Sequence, residues 1–271
     1  MTINLSADSP IGVFDSGLGG LTVLNVLEKI LPQESFLYFG DTAHVPYGTK
    51  SAKTVTQYSR HILDFFLEQG TKAVVIACNT ASAVAYKTLE TEYELPIFNV
   101  VNPSVEFALS ISRTNSIGII GTTATVQSKA YSQAFRSLKK ETTIEEIPCP
   151  LFVPLIEEGW SDSSIAKNIA MEYLSPFSSV NIDTLILGCT HYSIMADTIL
   201  SVIPEHIQLV CSGTTVGEKL RCYLREKGIS NKGISSKSTR FFVSDFPQKF
   251  DELGSRFLGR HLENVNHVSL L

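Results

Sequence analysis

Short apolar runs alternate along the chain with segments in which apolar residues recur about every third or fourth position. A helix with Leu21, Leu24 and Leu27 on one face ends before Pro32, and a second helix is capped by Ser51 and ends at Gly70. The apolar runs predict strands at Ile11–Phe14, Phe36–Phe39, Ala73–Ala77, Ile97–Val101, Ile117–Ile120, Leu185–Leu187 and Gln208–Val210. Alternation of this kind is typical of βαβ units and predicts an α/β fold with mainly parallel sheets.

Two parts of the pattern recur later in the chain. The segment 73–80 resembles 184–190, since both are apolar strands that run into a cysteine and then a threonine. The segment 11–17 resembles 117–123 at nearly the same spacing. Chance similarity of apolar strands would explain one such pair, but two pairs favour a duplication. We therefore predict two similar α/β halves, the second beginning near Asn102, related by pseudo-two-fold symmetry.

Polar or reactive residues follow four of these strands. Asp15, Cys78, Thr122 and Cys189 stand at the predicted carboxyl ends. Ligands of parallel α/β sheets bind beyond these ends, where helix N-termini attract anions. The pattern predicts a small anionic ligand in a cleft between the halves.

Composition narrows the class of protein. The chain has 271 residues, 44% hydrophobic and 18% charged, which is typical of a globular protein of one large or two compact domains. The net charge of −5 argues against nucleic acid as the main partner. We expect no membrane partner, because no apolar run could span a bilayer, and a cytoplasmic location, because the first ten residues are polar and carry no secretory pattern. Five cysteines without a CxxC spacing are expected to be free thiols.

Cys78 and Cys189 are candidates for chemistry as a pair. Either one alone would be read as a small buried hydrophobe. A helix N-terminus at each would lower the thiol pKa toward neutrality, so that a thiol could act as base or acid. A disulfide redox couple usually uses one local CxxC turn, and a cysteine hydrolase leaves a second thiol idle. Racemisation needs two similar groups, one on each face of a carbon, and is therefore favoured.

Other polar residues could assist this pair. Asp15 and His191 could orient a thiol or stabilise its charged form, although each is also a common cap or turn residue. Uncharged donors at predicted helix starts could cap helices or hold carboxylate and ammonium groups: Asn79, Thr80, Thr122, Thr125 and Thr190. The six histidines show no ligand spacing, so we expect no metal, and the glycines after Asp15 lack a P-loop pattern.

Four longer motifs carry a family resemblance. They are Phe14–Leu21, Gly40–Ser51, Ala77–Ser82 and Gly188–Tyr192. Together, from Ile11 to Val216, the chain resembles the glutamate racemases of the aspartate/glutamate racemase superfamily. The resemblance implies cofactor-independent interconversion of L- and D-glutamate by two thiols, which supplies D-glutamate for peptidoglycan in the cell wall.

The resemblance also implies residue roles. Cys78 and Cys189 are expected to be the acid/base residues, assisted by Asp15 and His191. The expected substrate-binding residues are Asp15, Ser16, Pro46, Tyr47, Gly48, Cys78, Asn79, Thr80, Thr122, Thr125, Glu157, Cys189, Thr190 and His191. Without the resemblance, Tyr47 would be a packed hydrophobe and Glu157 a solvated carboxylate. The implied domains are 1–101 plus 212–271, and 102–211.

Some questions stay open from the sequence. Asn102, Ser193 and Cys211 depart from the usual family pattern in loop and interdomain positions. An aspartate racemase on the same scaffold is one alternative function, and a non-catalytic two-lobed binder of small anions is another. The oligomeric state is open, with a homodimer as one option.

Overall fold

The computed structural model describes residues 6–139, 141–233 and 237–270, which form two sheets surrounded by helices. The strands are β1 (Ile11–Asp15), β2 (Phe36–Gly40), β3 (Ala73–Ile76), β4 (Ile97–Asn99), β5 (Ser116–Gly121), β6 (Thr143–Pro148), β7 (Thr184–Gly188), β8 (Gln208–Cys211), β9 (Thr239–Val243) and β10 (Val265–His267). One sheet has the order β10-β9-β2-β1-β3-β4 and the other β6-β5-β7-β8. All strand pairings among the described residues are parallel.

Helices connect successive strands. They are α1 (Gly20–Ile30), α2 (Ala52–Glu68), α3 (Asn79–Val84), α4 (Tyr86–Glu92), α5 (Val101–Ile111), α6 (Thr123–Ser128), α7 (Ala130–Leu138), α8 (Phe152–Glu157), α9 (Ser164–Leu174), α10 (Ala196–Leu200), α11 (Ser212–Glu226) and α12 (Pro247–Leu258). Short 3₁₀ turns occupy Thr42–His44, Tyr47–Thr49, Ser175–Ser179 and Thr190–Met195. In the described part of the chain, no helix has the length and apolar character needed to cross a membrane.

The two sheets share one strand order. β6-β5-β7-β8 repeats the arrangement β2-β1-β3-β4, so β5 takes the place of β1 and β7 the place of β3. These are the two strand pairs that resemble each other in sequence. The predicted α/β fold of two similar halves with parallel sheets is therefore confirmed. The smaller sheet includes β8, whereas β9 and β10 extend the larger one beside β2.

Local sequence explains where several elements begin and end. The Ser51 side chain accepts a hydrogen bond from the Thr54 N–H and caps α2, as predicted. α2 ends two residues before Gly70, whose φ of +69° suits glycine. The predicted strand Ile97–Val101 was too long. The Asn99 side chain accepts the N–H groups of Val101 and Asn102, which ends the strand and starts α5.

Candidate active site

The carboxyl ends of β1, β3, β5 and β7 surround a cavity of about 450 Å³ that both halves line. All the predicted site residues except Asp15 and Thr125 line it, so the structure brings together residues that are far apart in sequence. The lining residues that the sequence did not single out are Gly17, Val45, Thr49, Thr123, Pro150, Val153, Pro154 and Glu158. Several of them are apolar and have no polar or reactive group that would mark them as site residues. Only their position near the motifs in the sequence could have indicated them.

Cys78 lies just beyond β3 and is almost fully buried. Its Sγ accepts the Ala81 N–H at 3.5 Å and lies 3.9 Å from Ser16 Oγ, to which it can donate. Burial, with the nearby negative charge of Asp15, raises the pKa of the Cys78 thiol to about 12. The predicted lowering of this pKa by a helix N-terminus was wrong. One N–H hydrogen bond from the short helix α3 does not offset the loss of solvent around the sulfur.

Cys189 occupies the equivalent position after β7 but has different surroundings. The chain continues into the 3₁₀ turn Thr190–Met195, and the Cys189 side chain caps none of its N–H groups. The predicted α-helix N-terminus at Cys189 was therefore wrong. The polar neighbour of Cys189 is instead a side chain, since its Sγ lies 3.9 Å from His191 Nδ1.

His191 links Cys189 to an acidic residue. His191 Nε2 lies 3.0 Å from Glu157 Oε1, so Glu157 is not simply a solvated carboxylate. Burial alone would lower the pKa of His191. The hydrogen bonds to Cys189 and Glu157, together with the negative charges of Cys189 and Asp15, outweigh it and raise this pKa to about 10. At neutral pH a buried imidazolium therefore faces the Cys189 sulfur.

Asp15 lies behind the cavity wall. Its carboxylate accepts the Gly17 N–H at 3.0 Å and the Thr190 hydroxyl at 3.4 Å. Burial raises the pKa of this carboxyl, while the positive charge of His191 opposes the rise. Asp15 thus connects the turn after β1 to the loop after β7.

The glycines after β1 allow the two halves to approach closely. A Cβ at Gly19 would lie 2.2 Å from Thr190 Oγ1 and 2.4 Å from His191 Nδ1. Gly48, in the 3₁₀ turn Tyr47–Thr49, makes a second close approach, since a Cβ there would lie 3.0 Å from Thr122 Cβ. The glycine-rich turn therefore provides space for the His191 loop.

Three threonine hydroxyls connect the halves on another side of the site. Thr80 Oγ1 lies 3.0 Å from Thr122 Oγ1 and 3.3 Å from Thr125 Oγ1, and the latter two are 3.0 Å apart. Thr125 is fully buried and does not line the cavity. It contacts the site through Thr80 and Thr122.

Tyr47 is held by an acidic residue that the sequence did not indicate. The Tyr47 hydroxyl donates to Asp41 Oδ2 at 2.5 Å, and Asp41 also contacts His44 Nδ1 at 2.8 Å. Ser244, just after β9, donates to the same carboxylate at 2.7 Å. Asp41 comes directly after β2, and Asp15 is the last residue of β1, so the position of Asp41 at a strand end was the available signal. Among the described residues, no cluster of three or more His, Cys, Asp or Glu side chains is arranged to hold a metal ion.

Comparison with known proteins gives consistent matches over nearly the full length. A family model described as Asp/Glu/hydantoin racemase matches residues 11–217. A curated glutamate racemase from Syntrophus aciditrophicus is 44% identical over 261 residues, or 96% of this chain and 97% of that protein. The crystal structure of a glutamate racemase isoform from Bacillus anthracis has a TM-score of 0.93 at 32% identity, covering 97% of this chain and 98% of that one.

A second crystal structure was determined with a ligand. It is the glutamate racemase from Francisella tularensis in complex with D-glutamate, with a TM-score of 0.91 at 38% identity, covering 97% of this chain and 98% of that one. The segment that the family model matches contains both Cys78 and Cys189.

Proposed function

The chain belongs to the Asp/Glu/hydantoin racemase family and is a racemase. From this premise we propose that it interconverts L- and D-glutamate by proton transfer between the substrate and two thiols, without a cofactor. The observation that carries the proposal is the pair Cys78 and Cys189, which follow equivalent strands of the repeated sheets and line one cavity.

In the proposed reaction one thiolate removes the α-proton and the opposite thiol returns a proton to the other face. The enzyme must therefore begin each turnover with one thiolate and one thiol. The raised pKa of Cys78 keeps it protonated, and the imidazolium of His191 places a positive charge beside the Cys189 sulfur. The family resemblance implies Cys189 as the base toward L-glutamate and Cys78 as the base toward D-glutamate, and the protons are redistributed between the two directions.

The cavity supplies groups for an anionic substrate. Hydroxyl and amide donors from both halves line it, among them Asn79, Thr80, Thr122 and Thr190. Preorganised donors around the substrate carboxylate stabilise the carbanion-like transition state as charge moves onto that carboxylate. We propose that these groups bind the two carboxylates of glutamate.

The proposal also covers the domain division of the chain, its location and its role in the cell. Residues 1–101 plus 212–271 form one domain and 102–211 the other; 1–5, 140, 234–236 and 271 lie outside the described residues. The enzyme works in the cytoplasm and supplies D-glutamate for peptidoglycan. Size-exclusion chromatography tests the homodimer option.

The experiment follows the circular dichroism of L-glutamate and, separately, of L-aspartate with purified protein. We expect the L-glutamate signal to decay to zero, and the product formed in D₂O to carry deuterium at Cα. Activity should survive EDTA and hydroxylamine. Turnover of aspartate but not glutamate would favour the aspartate alternative, and binding without turnover of either would favour the anion binder.

A further inference from the structure

Within the described residues, the side-chain amide of Asn79 has a hydrogen-bond partner at its oxygen but none at its nitrogen. Asn79 is almost completely buried and lines the cavity. Its Oδ1 accepts the Tyr131 hydroxyl at 2.7 Å and lies 3.5 Å from Ser212 Oγ. Its Nδ2 has no hydrogen-bond partner within the described residues. Buried amide N–H groups are almost always bonded, so this group indicates a ligand in the cavity.

The orientation of this amide decides which ligand it can bind. The two ends of an asparagine side chain have nearly the same shape, and only their hydrogen bonds distinguish them. With Nδ2 toward the cavity, Asn79 offers N–H donors to a carboxylate. After a flip it would present a carbonyl oxygen, which repels a carboxylate.

Tyr131 contacts the oxygen end of this amide. It lies on α7, its side chain is fully buried, and its hydroxyl has Asn79 Oδ1 as its close acceptor. Burial raises the pKa of the Tyr131 phenol, so the hydroxyl keeps the proton that it donates. The Ser212 hydroxyl, at the start of α11, lies 3.5 Å from the same oxygen and 3.3 Å from the Leu187 carbonyl, so it can donate to either. Asn79 itself is on α3, so its orientation depends on contact between the two halves.

We propose that Tyr131, with Ser212, is a positioning residue that holds the Asn79 amide with Nδ2 toward the cavity, where it donates a hydrogen bond to a carboxylate of the substrate. This inference rests on the proposed function. It adds to that function a residue that lies outside the cavity wall and acts through Asn79.

The first test compares Tyr131→Phe with Tyr192→Phe. Tyr192 is an equally buried tyrosine whose hydroxyl donates to the Cys149 carbonyl at 2.8 Å, so it controls for loss of a buried hydroxyl. We expect Tyr131→Phe to raise KM for both glutamate enantiomers roughly tenfold, in line with a hydrogen bond to a charged group, with kcat changed less. Tyr192→Phe should leave KM unchanged at a similar loss of thermal stability. An equal KM for the two variants would overturn the proposal.

The second test asks whether Tyr131 acts through Asn79. In an Asn79→Ala background, Tyr131→Phe should change glutamate affinity by less than about twofold, because the group that it orients is gone. An undiminished effect in that background would overturn the proposal. If Tyr131→Phe does not fold, Ser212→Ala replaces it in the same double-mutant cycle. A diminished effect in the Asn79→Ala background supports the proposal, and an undiminished effect overturns it.

Calorimetric titration with D-glutamate separates this inference from the proposed function. Binding does not require turnover, so the cycle can be measured even in a protein that binds glutamate without racemising it. A wild-type protein that binds but does not turn over glutamate would refute the proposed function alone. A wild type that racemises glutamate, with a Tyr131→Phe variant of unchanged affinity, would refute the positioning role alone.

Discussion

The two thiols of the cavity occupy equivalent positions but have unlike neighbours. Cys78 contacts Ser16 and a backbone N–H, and its pKa is raised by burial. Cys189 faces His191, which in turn contacts Glu157. Equivalent strand ends therefore carry two different proton environments. The difference comes from the backbone, a helix start at Cys78 and a 3₁₀ turn at Cys189, and from the His191 side chain beside Cys189.

Glu157→Gln tests the environment of Cys189. Glu157 helps to hold the pKa of His191 at about 10, so the variant should lower this pKa. His191 is a cation below its pKa, so in the variant the Cys189 sulfur loses the positive charge beside it at a lower pH. The alkaline fall of kcat/KM for L-glutamate should move to lower pH accordingly.

A pH–rate profile and an NMR titration of the His191 ring measure this shift. Glu158→Gln is the matched control, because Glu158 lines the cavity but it is Glu157 that bonds to His191. We expect the His191 titration in that variant to match wild type. If Glu157→Gln leaves both the ring titration and the alkaline limb in place, Glu157 does not set the charge of His191.

The free energy of unfolding should depend on pH through the same titration of His191. The folded-state pKa of His191 lies above its ordinary value. The contacts of His191 with Cys189 and Glu157 therefore contribute fully below the unfolded pKa of about 6.5, and their contribution is lost as pH rises through about 10. In Glu157→Gln this part of the pH dependence of unfolding should shrink.

At the scale of elements, the glycine turn between β1 and α1 sets the shape of the site. Gly19 has a φ of −56°, which any residue adopts, so its need for glycine comes from contact and not from backbone strain. Gly19→Ala should lower kcat/KM at least tenfold, because the added methyl would displace the Thr190–His191 loop. Steady-state kinetics with both enantiomers measure the loss.

Gly70→Ala is the matched control for this substitution. Gly70 has a φ of +69° and open space around it, so alanine there strains the backbone without touching a neighbour. It should cost about 1 kcal/mol of unfolding free energy and leave kcat/KM unchanged. Wild-type kinetics in Gly19→Ala would show that the loop does not depend on this contact.

Some elements could be predicted from the sequence and others could not. The interior strands β1, β3, β5 and β7 are packed on both faces, and the resulting apolar runs are visible in the sequence. The edge strands β6 and β10 are partly exposed and rich in polar residues, so no comparable run indicates them. β9 begins with Thr and Arg but ends in the buried apolar run Phe241–Val243, which was not recognised as a strand. Tyr131, whose role depends on a distant partner, gave no local signal.

At the scale of the whole molecule, a buried ion pair ties distant segments to the larger sheet. Lys72 Nζ lies 2.6 Å from Glu34 Oε2 and donates to the carbonyls of Ala7 and Ile229. The other oxygen of Glu34 accepts the Asn231 N–H at 2.8 Å. The pair thus joins the segment before β1, the turn before β2 and the segment after α11.

Lys72→Met should destabilise the fold by about 3–5 kcal/mol, because it leaves the Glu34 carboxylate buried without a counter-charge. The double variant Glu34→Gln with Lys72→Met should lose less. Lys219→Met removes an exposed pair with Glu106 and should cost no more than about 1 kcal/mol. Urea unfolding measures all three, and a loss in Lys72→Met as small as that in Lys219→Met would contradict this role.

The repeated strand order gives the molecule two equivalent thiol positions. We propose that each thiol serves one face of the substrate. Cys78→Ser and Cys189→Ser each remove one thiol, and racemisation should fall by about 10²-fold or more in both. Cys211→Ser is the control, because the Cys211 thiol does not line the cavity, and this variant should retain activity.

The most direct measurement uses the threo-3-chloroglutamate enantiomers with each single-thiol variant. Elimination needs only the first proton transfer: the α-proton passes to the remaining thiolate, chloride leaves, and hydrolysis of the enamine gives 2-oxoglutarate and ammonium. We expect Cys78→Ser to eliminate chloride from the L-isomer only and Cys189→Ser from the D-isomer only. Elimination from the same isomer by both variants, or normal racemisation by Cys189→Ser, would contradict the two-thiol account.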